Sequence, residues 1–152
     1  MGQVRDETAH EGLEAGERAR QRIDGWIEAC GGLPAPDETA APLAASFTKA
    51  APTEVHRIPS FVDGIGASSV LPEMWNLVRP LLEGSLVVSL KEIASAIRLL
   101  VERNRVVAEG AGGSSVAAAL AGKAGQGRVA CVVSGGNIDT EVLGKILRGE
   151  VP

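Results

Sequence analysis

Hydrophobic and polar positions alternate with two different periods along this chain, and the change of period outlines its elements. Residues 1–30 carry Leu13, Ala19, Ile23, Trp26, Ile27 and Cys30 at helical spacing, interrupted by Gly12, Gly16 and Gly25, and predict a helix. Gly31-Gly32-Leu33-Pro34-Ala35-Pro36-Asp37 breaks the pattern and reads as a linker. A short alanine-rich helix is expected over 40–49, and Pro52 and Pro59 favour an extended path over 53–60. Pro72 suits the first turn of a helix through Met74, Leu77, Val78 and Leu81, and Leu86-Val87-Val88 a short strand.

Ser89-Leu90-Lys91-Glu92 has the form of a capping box, with serine at the cap and glutamate three residues on. Leu90, Ile93, Ile97, Leu100 and Val101 then share one helical face, and Arg98, Arg103 and Arg105 suit the carboxyl end of its dipole. Val106-Val107-Ala108-Glu109 reads as extended, Gly110-Ala111-Gly112-Gly113-Ser114-Ser115 as a loop, and the alanines up to Lys123 as a small helix. Arg128–Val133 is apolar beyond its first residue, as a strand covered on both faces should be. Asp139 caps a last helix carrying Val142, Leu143, Ile146 and Leu147, with Gly149 beyond its end. Alternating strands and helices predict an α/β class with a mainly parallel sheet.

Composition adds limits. A chain of 152 residues can bury one core, and with 3% aromatic residues alanine, valine, leucine and glycine must do most of the packing. The net charge of −4 without a basic cluster speaks against nucleic acid or an anionic membrane surface as partner. No apolar run reaches the ~18 residues of a membrane span. Cys30 and Cys131 lie far apart without metal-ligand spacing and suit reduced thiols in the cytoplasm. His10 and His56 have neither triad nor metal spacing.

In open α/β sheets, ligands bind at the carboxyl ends of strands, where loops 63–66, 109–114 and 134–137 are expected. A single glycine loop is more often a packing turn; three within ninety residues favour a shared site. Glu109, after an apolar run and before a helix, is either a carboxylate over a pocket or a solvated loop residue. The glycines of 110–113 could cradle a phosphate through backbone amides, although they match no standard phosphate motif.

Together "IPSFVDGIG" (58–66), "VVSLKEIASAIRLLVERNRVVAEGAGGSSVAAAL" (87–120) and "VVSGGNID" (132–139) resemble, in order and spacing, the C-terminal part of threonine/serine dehydratases. These are fold-type-II pyridoxal-phosphate enzymes, a group that includes serine racemase. The resemblance runs from about residue 38 to 152; residues 1–37 remain unassigned. It implies pyridoxal 5'-phosphate as cofactor, with Ser134 at the pyridine nitrogen and Gly64 against the ring. It also implies Glu109 as a catalytic carboxylate beside the cofactor, and Gly135 as a cofactor-binding residue, with the backbone at Gly135-Gly136 kept clear of the ring. The implied reaction is β-elimination from a small β-hydroxy amino acid, giving a 2-oxo acid and ammonia.

The family's Schiff-base lysine, in an S-F-K-x-R-G-type motif, has no counterpart. In Ser46-Phe47-Thr48-Lys49-Ala50 the lysine is displaced by one residue and the arginine is absent. The family's phosphate loop is not matched either, and the cation site of serine racemase-like members finds no ligand set around Pro36–Asp37, so no metal is expected. The resemblance thus implies a lyase fragment, inactive alone, that self-associates or requires an N-terminal half. The alternatives are a non-catalytic small-ligand or phosphate-binding module, and a remnant that packs against a partner.

Overall fold

The computed structural model describes residues 27–31 and 41–152. Strand β1 (Ile27–Gly31) pairs in parallel with β2 (Gly84–Val88), in a register that sets Ile27 beside Gly84 and Gly31 beside Val88. Among the described residues five α-helices accompany this pair: α1 (Pro42–Lys49), α2 (Pro72–Val78), α3 (Leu90–Leu99), α4 (Gly110–Leu120) and α5 (Thr140–Leu147). Helix α3 continues into a π-helical turn over Leu100–Asn104, closed by Arg105 in the left-handed region at φ 59°. Helix α4 packs on α3 and over the sheet, and α5 packs on the other helix of that pair, α3.

Helix α3 forms for the reasons its sequence supplies. The Ser89 hydroxyl accepts the Glu92 amide at 3.2 Å, and the Glu92 carboxylate accepts the Ser89 amide at 2.6 Å. Its buried face (Ile93, Ala94, Ala96 and Ile97) forms the centre of the core with Val62, Val88, Ala108, Ala117 and Ile146. A smaller cluster joins α1 and α2 through Leu43 and Trp75, where the Phe47 and Trp75 rings meet edge to face at 5.3 Å. Asp139 caps α5 by accepting the amides of Glu141 and Val142, as its position predicts.

Three expectations are corrected. The helix predicted over residues 1–30 gives way at Ile27–Gly31 to strand, because the segment exchanges backbone hydrogen bonds with β2. The rest of that helix, the linker after Gly31 and the Pro36–Asp37 position lie outside the described residues.

The run Gly110–Ser115 is helix rather than loop, forming the first half of α4. Glycine costs a helix about 1 kcal/mol per residue. Close packing accounts for it here: a Cβ on Gly110 would lie 2.6 Å from the Phe61 carbonyl oxygen, and one on Gly113 2.8 Å from Ile97 Cγ1. Helix α4 approaches the Phe61-Val62 backbone and α3 this closely only without those side chains.

Residues 128–133 join no ladder among the described residues, and Val129 and Val132 are 47% and 59% exposed. Apolar character predisposes a segment to strand, but a strand also needs a paired neighbouring backbone, and the ladder among the described residues joins β1 to β2 alone. The parallel sheet is as expected, confined to two strands among the described residues.

Candidate functional site

Helix α4 begins where the three glycine-bearing segments meet. Glu109 is its N-cap residue, half-buried, with an extended backbone. The Glu109 amide donates to the Gly135 carbonyl at 3.0 Å, and its Oε2 accepts the Asn137 amide at 3.1 Å. A Cβ on Gly135 would lie 2.7 Å from Glu109 Oε1, so the carboxylate rests directly on the Gly135 backbone. A Cβ on Gly64 would come within 3.6 Å of the same oxygen and 3.1 Å of Ala111 Cβ. Segments 63–66, 109–112 and 134–137 thus surround one carboxylate.

The glycines of the site meet steric demands inside the chain. Gly112 would place a Cβ 2.6 Å from the Gly135 carbonyl oxygen, and Gly136 would place one 2.7 Å from that of Val107. The first contacts at Gly135-Gly136 are therefore the Glu109 carboxylate and the Val107 carbonyl. Of the glycines considered as a phosphate cradle, Gly113 donates its amide within the helix to the Glu109 carbonyl at 2.9 Å.

Ser134 lies between two anchored residues. The Val132 carbonyl accepts the Ser115 hydroxyl at 2.8 Å on one side, and the Gly135 carbonyl accepts the Glu109 amide on the other. The Ser134 side chain is exposed and makes no hydrogen bond among the described residues. A cleft of about 480 Å³ opens next to the cluster, lined by Pro42 and Leu43 of α1, Asp63 and Gly64 of the loop, and Met74 and Val78 of α2. It shares Gly64 with the cluster, but neither Glu109 nor Ser134 lines it.

Sequence reasoning brought Glu109, Gly64, Ser134 and Gly135 to one place, but missed Asn137 and Ala111. Asn137 contributes its backbone amide and Ala111 only a methyl group, so the identity of neither residue signals its part.

The lysines of the chain are engaged elsewhere or stand on outer helix positions. Lys123 Nζ bridges the Val87 carbonyl and the Glu92 carboxylate at 2.8–2.9 Å, and Lys145 pairs with Glu141 at 3.4 Å. Lys49 ends α1 and Lys91 lies in the first turn of α3, both exposed. No group of histidine, cysteine and carboxylate residues among the described residues is arranged to hold a metal ion. No described helix is long and apolar enough to cross a membrane.

Residues 18–135 match the model of the family described as "Pyridoxal-phosphate dependent enzyme". The match begins inside the segment that the sequence reading left unassigned. L-threonine ammonia-lyase of Thermotoga maritima is 37% identical over 106 residues, which are 69% of this chain and 26% of that protein. L-threonine dehydratase catabolic TdcB of Escherichia coli K12 is 34% identical over 108 residues, 68% of this chain and 33% of that protein. The fold is similar to that of the processed form of threonine deaminase isoform 2 from Solanum lycopersicum. The TM-score is 0.64 at 22% identity, over 72% of this chain and 33% of that one.

The chain belongs to the pyridoxal-phosphate-dependent enzyme family, and its structural neighbours are fold-type-II members of it. Pyridoxal phosphate is the cofactor that membership implies. The chain spans about a quarter to a third of the length of the relatives it matches.

The residues present fit one side of such a cofactor. The Ser134 hydroxyl is exposed, makes no hydrogen bond among the described residues and stands on an anchored backbone, and Gly64 lies exposed on its loop beside Glu109 and Ala111. A lysine to hold the cofactor covalently is not among the contacts of this cluster.

Proposed function

We propose that this chain forms part of the pocket of a pyridoxal-phosphate-dependent lyase of the threonine/serine dehydratase type. The observation that carries this reading is the convergence of Gly64, Glu109 and the Ser134 loop at the start of α4, with the Ser134 hydroxyl exposed and making no hydrogen bond among the described residues. When bound, pyridoxal phosphate supplies an electron sink for breaking bonds at the substrate Cα. Ser134 would donate or accept a hydrogen bond at the ring nitrogen. A neutral hydroxyl there stabilises positive charge on the ring less than a carboxylate would, which suits elimination. Gly64 would leave room for the ring, with Glu109 beside it. The substrate in this reading is a small β-hydroxy amino acid, converted to a 2-oxo acid and ammonia.

By itself the chain is expected to be inactive, because covalent capture of the cofactor needs an activated lysine. Exposed Leu71, Met74, Leu77 and Leu81, from the cap of α2 to just after it, suit burial against a further polypeptide, either a second copy or a segment that carries the lysine motif. The free, half-buried thiol of Cys131 suits the reducing cytoplasm.

The test is to incubate the chain with pyridoxal phosphate and L-threonine, and to follow cofactor binding by fluorescence and 2-oxobutyrate by a coupled assay. Weak cofactor binding that Ser134→Ala lowers further, without 2-oxobutyrate, is the expected result. Cofactor binding unchanged by Ser134→Ala would remove the assigned role of the serine. Sustained turnover by the chain alone would show that one of its own lysines serves.

A further inference from the structure

Glu109 grips the Ser134 loop in two ways at once. Its backbone amide holds the Gly135 carbonyl at 3.0 Å, and its side-chain oxygen holds the Asn137 amide at 3.1 Å. Between these two bonds the carboxylate lies on Gly135 so closely that a Cβ there would sit 2.7 Å from Oε1 and 2.8 Å from Cδ. The far end of the loop is fixed as well: the Ile138 amide donates to Gly136 at 3.0 Å, and Asp139 caps α5. The near end is fixed by Ser115, whose hydroxyl donates to Val132 at 2.8 Å. Glu109 and Ser115 belong to the cap and the second turn of the same helix, α4.

We propose that Glu109 is a positioning residue, whose carboxylate clamps the loop Ser134–Asn137 onto α4 and so sets the direction of the Ser134 hydroxyl. A loop with two adjacent glycines has more conformations open to it than any other pair would allow, and would not hold a hydroxyl in one direction unaided. An ionised acceptor for a backbone amide is the stronger kind of hydrogen bond available to it. The same contact explains why position 135 is glycine: any side chain there would displace the carboxylate. This inference rests on the proposed lyase reading only for what the hydroxyl serves; the clamp itself requires no cofactor.

Amide hydrogen exchange of the full chain, followed by NMR without cofactor, tests it. Glu109→Ala should raise exchange at Asn137 at least tenfold, or about 1.4 kcal/mol. The core amides of α3 and α5 should keep their protection. Glu109→Gln, which keeps one acceptor oxygen, should restore most of the Asn137 protection. Gly135→Ala should expose Asn137 as Glu109→Ala does, with the glutamate still present. Unchanged exchange at Asn137 in Glu109→Ala would overturn the clamp, and so would a glutamine variant no better than alanine. Equal loosening of α3 and α5 would also overturn it, by showing a general loss of packing. Pyridoxal phosphate fluorescence on the same variants is a separate readout: clamp loss without any change in cofactor affinity counts against the lyase reading, not the clamp.

Discussion

Gly112 sits inside a helix, where replacing glycine by alanine ordinarily gains about 1 kcal/mol. Here the added Cβ would meet the Gly135 carbonyl oxygen at 2.6 Å, a backbone atom that cannot swing aside. Overpacking of this kind costs about 1–3 kcal/mol, so sterics outweigh propensity. Gly112→Ala should therefore lower the urea midpoint, although a helix scale predicts the reverse. Ser134→Ala should behave differently. The side chain is exposed and without a hydrogen-bond partner among the described residues, so its loss should change stability by less than about 0.5 kcal/mol. Its cost should appear only in cofactor affinity. Which glycines mattered was visible in sequence; what each one approaches was not, because Gly112 and Gly135 meet across more than twenty residues of chain.

Helix α3 shows how far local chemistry reaches. Its capping box is written in four consecutive residues and forms as read, so Ser89→Ala should cost about 1 kcal/mol in thermal or urea unfolding. The tertiary addition is Lys123, which joins the Glu92 carboxylate from the turn after α4. Partial burial pushes the Glu92 carboxyl up, but hydrogen bonds from Lys123 and from the Ser89 amide and hydroxyl, with the Lys123 charge, outweigh it. The group is held below its ordinary value. A carboxyl with a depressed folded pKa contributes stability that is fully present above the unfolded value, about 4.3, and is lost as pH falls through the lower folded one. The chain should thus lose this stability as pH drops below about 4.3. Lys123→Met should be less stable at pH 7 and show a shallower acid slope, by urea unfolding at a series of pH values. Helix α4 marks the limit of local reading: its glycines look like a loop until α3 and Phe61 are set against them.

For the whole molecule, the apolar surface left uncovered carries the main consequence. Leu71, Leu77 and Leu81, from the cap of α2 to just after it, are 63%, 60% and 57% exposed, and Val129 and Val132 are exposed as well. Large apolar side chains left in water favour association. Sedimentation velocity should show a concentration-dependent shift to larger species, and Leu77→Asp with Leu81→Lys should reduce it with little loss of helix content. A monomer at all concentrations would show that this surface is tolerated in water.

The sequence by itself determined the elements whose causes are local: the capped α3, the proline-started α1 and α2, the Asp139 cap of α5, and β2. The ordered motifs also pointed to the family to which the chain belongs, and to Gly64, Glu109, Ser134 and Gly135 as one group. Only the tertiary structure decided the features that depend on a partner distant in sequence. Ile27–Gly31 is strand because β2 offers it a backbone ladder. Residues 128–133 join no ladder among the described residues, because an apolar pattern does not by itself supply a paired neighbouring backbone. Gly110–Ser115 is helix because neighbouring segments occupy the space its side chains would fill. The grip of Glu109 on the Ser134 loop belongs with these. It joins a carboxylate to a backbone amide 28 residues away, and every residue has such an amide except proline.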